Sequence, residues 1–257
     1  MRKILLFIFV ICFSSSIFAQ RHEIGIFAGG ANVIGDIGSS YYINPFPTRL
    51  KQGGKIVLPI SIGGLYRFNI NPHMGFRVNL SYSHVGAGDF NSGEQYKIDR
   101  NKSFTNDIKE GALLFEYNFN DINEAQEFAH SPYIFFGGAI FNAKNRIYDY
   151  DQKTGKVFHE SLKENKITFP FGVGYKIRFN YAWVLAFETG FRYTNQDFLD
   201  YNTAGITTEL MDAGKIDPKI NAQILDKNFG NKSNNDWYVQ TGLSLTYSFG
   251  RPACYCN

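Results

Sequence analysis

From residue 22 onward, apolar and polar positions alternate with a period of two, as in strands whose two faces meet different surroundings. In 181–193 one face carries Trp183, Leu185, Phe187, Thr189, Phe191 and Tyr193, and the other Ala182, Val184, Ala186, Glu188, Gly190 and Arg192. The same split recurs in 166–179 and 236–249. Segments of this kind fall near 22–31, 57–69, 74–84, 107–119, 132–143, 166–179, 181–194 and 236–249. Each is long enough for a tilted strand to cross a bilayer, and an even number closes a small barrel. The expected fold is all-β, an eight-stranded antiparallel transmembrane β-barrel. Pro59 and Pro170 cannot donate to a closed ladder, so both are expected just outside the membrane.

Two features separate a membrane barrel from a soluble one. The polar faces hold Gly, Ala and Ser with isolated charges, as a crowded lumen does, rather than the Lys, Glu and Thr of a wetted surface. The connections also alternate: 70–73, 120–131 and 180 are short or moderate, whereas 32–56, 85–106, 144–165 and 195–235 are long. In outer-membrane barrels the short turns and both termini are periplasmic and the long loops lie outside. Tyr66, Phe68, Tyr117, Phe119, Phe179, Tyr181, Tyr247 and Phe249 are placed to form the aromatic girdle at the short-turn interface.

The N-terminus reads as an export signal: Arg2 and Lys3, an apolar run over 4–13, and small residues ending at Ala19. The run falls short of the ~20 residues that span a bilayer as a helix. The expected divisions are a signal peptide over 1–19, a barrel over 20–250 and a periplasmic tail over 251–257. Among 257 residues, 44% are hydrophobic and 17% aromatic, which excludes a disordered chain. Loss of Arg2 and Lys3 takes 26 basic residues to 24 against 23 acidic ones. That balance excludes a nucleic-acid footprint.

The inward charges in this register are Glu23, Arg67, Arg77, Glu110, Glu116, Lys176, Arg178, Glu188 and Arg192. Five basic and four acidic groups in a narrow interior must pair, because an isolated buried charge costs several kcal/mol. An eight-stranded lumen is filled by its own side chains, so the expectation is a charge network rather than a conducting path.

Other chemistry is thinly supported. Ser83, His84 and Asp89 share one strand end, but such trios are common by chance. His22, His73 and His130 fall toward the short-turn side without metal-ligand spacing. Neither a cofactor, a metal nor a catalytic site is expected. Cys254 and Cys256 remain after signal removal in an oxidising compartment. Two residues apart, they would close a strained loop, which leaves open both an internal bridge and a disulfide to another chain.

The run His22-Glu23-Ile24-Gly25-Ile26-Phe27-Ala28-Gly29-Gly30-Ala31-Asn32-Val33-Ile34-Gly35-Asp36-Ile37-Gly38 and the ending Asn235-Asp236-Trp237-Tyr238-Val239 to Tyr247-Ser248-Phe249-Gly250-Arg251-Pro252 resemble the PorG family. Supporting stretches are Ser131-Pro132-Tyr133-Ile134-Phe135-Phe136, Phe169-Pro170-Phe171-Gly172-Val173-Gly174-Tyr175 and Glu188-Thr189-Gly190-Phe191-Arg192-Tyr193. PorG is the outer-membrane barrel component of the type IX secretion system of Bacteroidetes. The resemblance implies a barrel, OmpA-like in size, that contacts a periplasmic ring made of a lipoprotein and its partner protein, and that is not itself the conduit. The expected contact residues are Asn71, Pro72 and His73, the segment 121–130, and Arg251, Cys254 and Cys256. The competing expectation is an adhesin or ligand receptor acting through the long outer loops. Outer-membrane lipids are partners under either reading.

Overall fold

The computed structural model describes residues 21–35, 38, 43–46, 50–52, 55–89, 93, 103–123, 127–150, 157–194 and 237–249. The strands are Arg21–Ile34 (β1), Leu50–Gln52 (β2), Lys55–Val57 (β3), Ile60–Asn69 (β4), Met74–Gly88 (β5), Ser103–Asn118 (β6), Ala129–Tyr150 (β7), Val157–Arg178 (β8), Trp183–Tyr193 (β9) and Trp237–Phe249 (β10). β2 and β3 form a separate small hairpin, and the other eight close a barrel. Each barrel strand pairs antiparallel with its chain neighbour, and β1 seals the cylinder against β10 from His22↔Phe249 to Ile34↔Trp237. The chain is therefore an all-β, eight-stranded antiparallel barrel of the transmembrane kind.

The wall explains the alternation. Outward side chains are apolar and exposed, as with Ile26 at 65%, Leu80 at 67% and Ile140 at 70%. Their inward neighbours are buried. Such an exterior has no solvent to suit it except lipid, where closure pairs the backbone of each strand with its neighbours. The connections at one end, 70–73, 119–128 and 179–182, are short, and β1 begins and β10 ends on that side.

At the other end the strands run further than the alternation indicates. β7 and β8 each have 22 residues, about 70 Å of strand. They pair to Tyr150↔Val157, so the expected loop over 144–165 is mostly ladder. β5 and β6 likewise pair as far as Gly88↔Ser103, which shortens the expected loop over 85–106. Beyond the membrane both faces of a hairpin are wet, and the period-two contrast fades. The last β8–β9 pair is Phe169↔Tyr193, so the β7–β8 hairpin rises well past it. The connection before β2 folds back on the wall: Asn32 Nδ2 donates to Asn44 O at 3.1 Å. A Cβ on Gly30 would lie 2.4 Å from that same oxygen, so only glycine admits the approach.

The two prolines differ. Pro59 precedes β4, and its carbonyl accepts from Ala31 N at 3.2 Å. Pro170 lies within β8: β7–β8 pairing stops at Phe136↔Phe171 and resumes in the same register at Ala139↔Thr168. The ladder spans a missing donor without slipping, held by β9 on the other side through Pro170↔Arg192.

Candidate functional site

The inward face of β6 gives the order of the interior. From the short-turn end it runs Asn118, Glu116, Leu114, Ala112, Glu110, Ile108, Asn106 and Phe104, all buried. Glu116 is the hub of the first layer. Its carboxylate meets Arg67 Nε at 2.6 Å, Lys176 Nζ at 2.6 Å and Arg77 Nη1 at 3.0 Å. Arg77 Nη1 also reaches Glu188 at 2.7 Å, and the Tyr133 hydroxyl donates to the same Glu188 oxygen. Arg67 pairs with Glu23, which further accepts from Asn69 Nδ2, Thr246 Oγ1 and Ser248 Oγ. Lys176 Nζ donates to Asn118 Oδ1 at 2.9 Å and lies 4.3 Å from the Tyr133 ring centroid.

Arg178 is the cation in excess, and carbonyls take it up. Its Nε donates to Ile122 O at 3.0 Å and its Nη1 to Tyr181 O at 3.4 Å, while Nη2 reaches Glu23 at 3.4 Å. Above this layer lie Leu114, Ala112, Tyr133, Phe135, Ala139 and Ala186, an apolar cluster inside the barrel. Glycines make room for it: a Cβ on Gly174 would sit 2.5 Å from the Tyr133 ring. Next comes a polar layer, in which Glu110 accepts from the Tyr238 hydroxyl and faces Arg192 Nε at 3.5 Å. A second apolar cluster, including Val33, Val85, Phe104, Ile108 and Phe141, lies toward the far end. All nine charges assigned inward from the sequence are buried, the most exposed being Glu110 at 5%.

The short-turn end is bound together. Asn71 Oδ1 accepts from His73 N at 2.9 Å and Met74 N at 2.7 Å, and Asn180 Oδ1 does the same for Ala182 and Trp183. These are Asx turns, so Asn71 shapes its own loop. His73 Nδ1 lies 3.0 Å from Asn118 O, and its Nε2 lies 2.7 Å from Asp121. Asn123 Nδ2 donates to Asn71 O at 2.8 Å, and Ile122 is only 1% exposed. The start of the β6–β7 connection is thus drawn over the barrel mouth and fastened to the β4–β5 turn. An aromatic rim surrounds it, with Tyr117–Phe119 and Trp183–Tyr247 ring centroids 5.4 and 5.2 Å apart.

Residues 2–257 match the model of a family described as a domain of unknown function, DUF6089. The chain belongs to that family. No curated protein matches it. Among solved structures, the DUF6089 chain is similar to Ail of Yersinia pestis in complex with the heparin analogue sucrose octasulfate. That likeness has 12% identity over 90% of this chain and 99% of that one, with a TM-score of 0.41. It is also similar to a major outer membrane protein of Thermus thermophilus, at 12% identity over 90% and 100% of the two chains and a TM-score of 0.46. The N-terminal β-barrel domain of Pseudomonas aeruginosa OprF follows at 10% identity over 90% and 98%, with a TM-score of 0.37.

In the DUF6089 barrel the Ser83, His84 and Asp89 trio is pulled apart. Ser83 faces inward and bonds Ser61 Oγ at 2.8 Å and Gln240 Nε2 at 2.9 Å. His84 faces outward to Asp107 at 2.5 Å, and buried Asp89 accepts from Gly38 N at 3.1 Å. Neighbouring positions on a strand point to opposite sides of the wall, so the three do not converge. The histidines are equally separate: His22 bonds the Tyr66 hydroxyl at 2.7 Å and His130 the Tyr175 hydroxyl at 2.6 Å. Among the described residues, no three His, Cys, Asp or Glu side chains could hold a metal ion. Arg251, Cys254 and Cys256, the spans 124–126 and 195–235, and the N-terminal segment 1–20 fall outside the described residues.

Sequence reasoning missed the apolar interior. Tyr133-Ile134-Phe135-Phe136 is apolar on both faces and gives alternation no contrast. The signal was the inward glycines at 172, 174 and 190, which mark where large neighbours intrude.

Proposed function

We propose that this barrel is an outer-membrane component of a type IX protein secretion system, with both termini periplasmic. It contacts the periplasmic ring, a lipoprotein and its partner protein, and does not conduct. The observation that carries the reading is the fastened short-turn end over an interior packed with buried side chains among the described residues: a barrel with a filled interior and a shaped lower surface is suited to docking. The PorG resemblance in the sequence supports the choice of partner. Within this reading Asn71 and Pro72 shape the platform, His73 and Asp121 present it, and Arg251, Cys254 and Cys256 extend it, the cysteines through a disulfide to another chain.

The test is recovery of ring proteins with the tagged full chain in mild detergent. Loss is expected on deletion of 251–257, on replacing both cysteines by serine, and on changing His73 and Asp121 together to alanine. Unchanged recovery and secretion in all three would sink the reading. The projecting β7–β8 hairpin supports a second reading, a surface adhesin or ligand receptor; in that case hairpin truncation, and none of the short-turn variants, causes the defect.

A further inference from the structure

Outward positions on β5 to β8 line up in rows across the wall. Leu80, Gly111, Ile140 and Ile167 are register partners in one row, with the three large side chains 64 to 70% exposed. The next row is Tyr82, Lys109, Asn142 and Asn165, and the one after it begins His84, Asp107 and Lys144. Lipid-facing character thus ends within a single rung. Asp107 lies between the two lysines, yet its Oδ1 receives the Tyr82 hydroxyl at 2.9 Å and meets His84 Nδ1 at 2.5 Å. Asn142 Nδ2 is likewise committed to Asn165 Oδ1 at 2.7 Å. Neither Lys109 nor Lys144 is held in an ion pair among the described residues.

The rest of the circumference is different. Outward positions of β9, β10, β1 and β4 carry no Lys, Arg, Asp or Glu. Next to the β5–β8 wall, and closer to the short-turn end, Phe171 of β8 joins Phe191, Tyr193 and Trp237 in ring-to-ring packing at 5.0 to 5.7 Å. Among the described outward strand positions, this cationic step occupies one wall. Two uncommitted ammonium groups directly above an exposed aliphatic row match an amphiphile with acyl chains below and anionic oxygens above.

We infer that the β5–β8 wall binds the phosphate groups of an outer-leaflet membrane lipid through Lys109 and Lys144, with the acyl chains lying on Leu80, Ile140 and Ile167. His84 and Tyr82 engage Asp107 Oδ1, and Asp107 forms no ion pair with either lysine among the described residues. The site needs only that the short turns face the periplasm; it is independent of any ring contact.

The probe is a bisphosphorylated glucosamine lipid and the same lipid stripped of phosphate, titrated onto the detergent-purified full chain and read by native mass spectrometry. The phosphorylated form should bind about 25-fold more tightly, roughly fivefold for each lysine near a charged surface. K109Q/K144Q should abolish the preference and K109R/K144R should restore it, with heat-modifiable gel mobility confirming that both variants fold. Equal binding of the two lipids, or an unaltered preference in K109Q/K144Q, would overturn the site. Displacement by inorganic phosphate at equal concentration would also overturn it, because the site would then bind the bare anion rather than the lipid.

Discussion

Glu116 shows how a single residue organises the interior. Three cations, Arg67, Arg77 and Lys176, converge on its two oxygens within 3.0 Å, and all four side chains are 1% exposed or less. Glu116→Gln keeps the shape but leaves the first layer with four cations against Glu23 and Glu188. Breaking a buried pair on one side costs about 3–5 kcal/mol, since the remaining charge stays desolvated. The variant should therefore unfold at lower urea concentration in lipid vesicles, followed by tryptophan fluorescence. Adding Lys176→Met removes the stranded charge, and much of the loss should return. If the double variant is as unstable as the sum of the two singles, Glu116 is not coupled to Lys176. Arg178 is shared between Glu23 and the carbonyls of Ile122 and Tyr181.

Elements differ in how far their sequences reveal them. β9 and β10 were legible because lipid lies on one side and the lumen on the other, so Trp183, Leu185 and Phe187 contrast with Val184, Ala186 and Glu188. The outer half of β7 and β8 was not, because both faces there leave the membrane and the polar residues of 144–150 no longer report direction. The turn over 119–123 was hidden for another reason: its position depends on contacts between residues about fifty apart, such as Asn123 Nδ2 with Asn71 O, which no local period encodes. That contact also allows a test at this scale. Asn123→Ala removes bonds to Asn71 O, Met74 O and Asn118 Nδ2, together worth about 1–2 kcal/mol. Amide exchange over 119–123 should accelerate by roughly five- to thirtyfold while exchange in the β4–β5 ladder stays unchanged. Unaltered exchange at 119–123 would mean that the remaining contacts, among them Arg178 with Ile122 O and His73 with Asp121, fasten the segment without the Asn123 side chain.

For the whole molecule, the layers matter because they are unlike one another. Ions entering from the short-turn end meet a paired network in which each fixed charge is already answered. Beyond it the Leu114, Tyr133 and Phe135 cluster is mostly apolar, its one hydroxyl already committed to Glu188, and the Val33, Phe104 and Phe141 cluster repeats the obstacle toward the far end. An eight-stranded cylinder is only wide enough to hold its own side chains, so there is little room for water to bypass either cluster. The purified barrel is accordingly expected to give no stepwise conductance in planar bilayers. The informative variant is one that loosens the ionic layer alone, Arg67→Ala with Glu116→Ala: it should still not conduct, because desolvating an ion against the apolar clusters remains prohibitive. Conductance should emerge only when Phe104 and Phe141, together with Phe135, are also cut to alanine. Steps in the wild type, or in the ionic-layer variant, would place the barrier elsewhere and return transport to the list of things this barrel does.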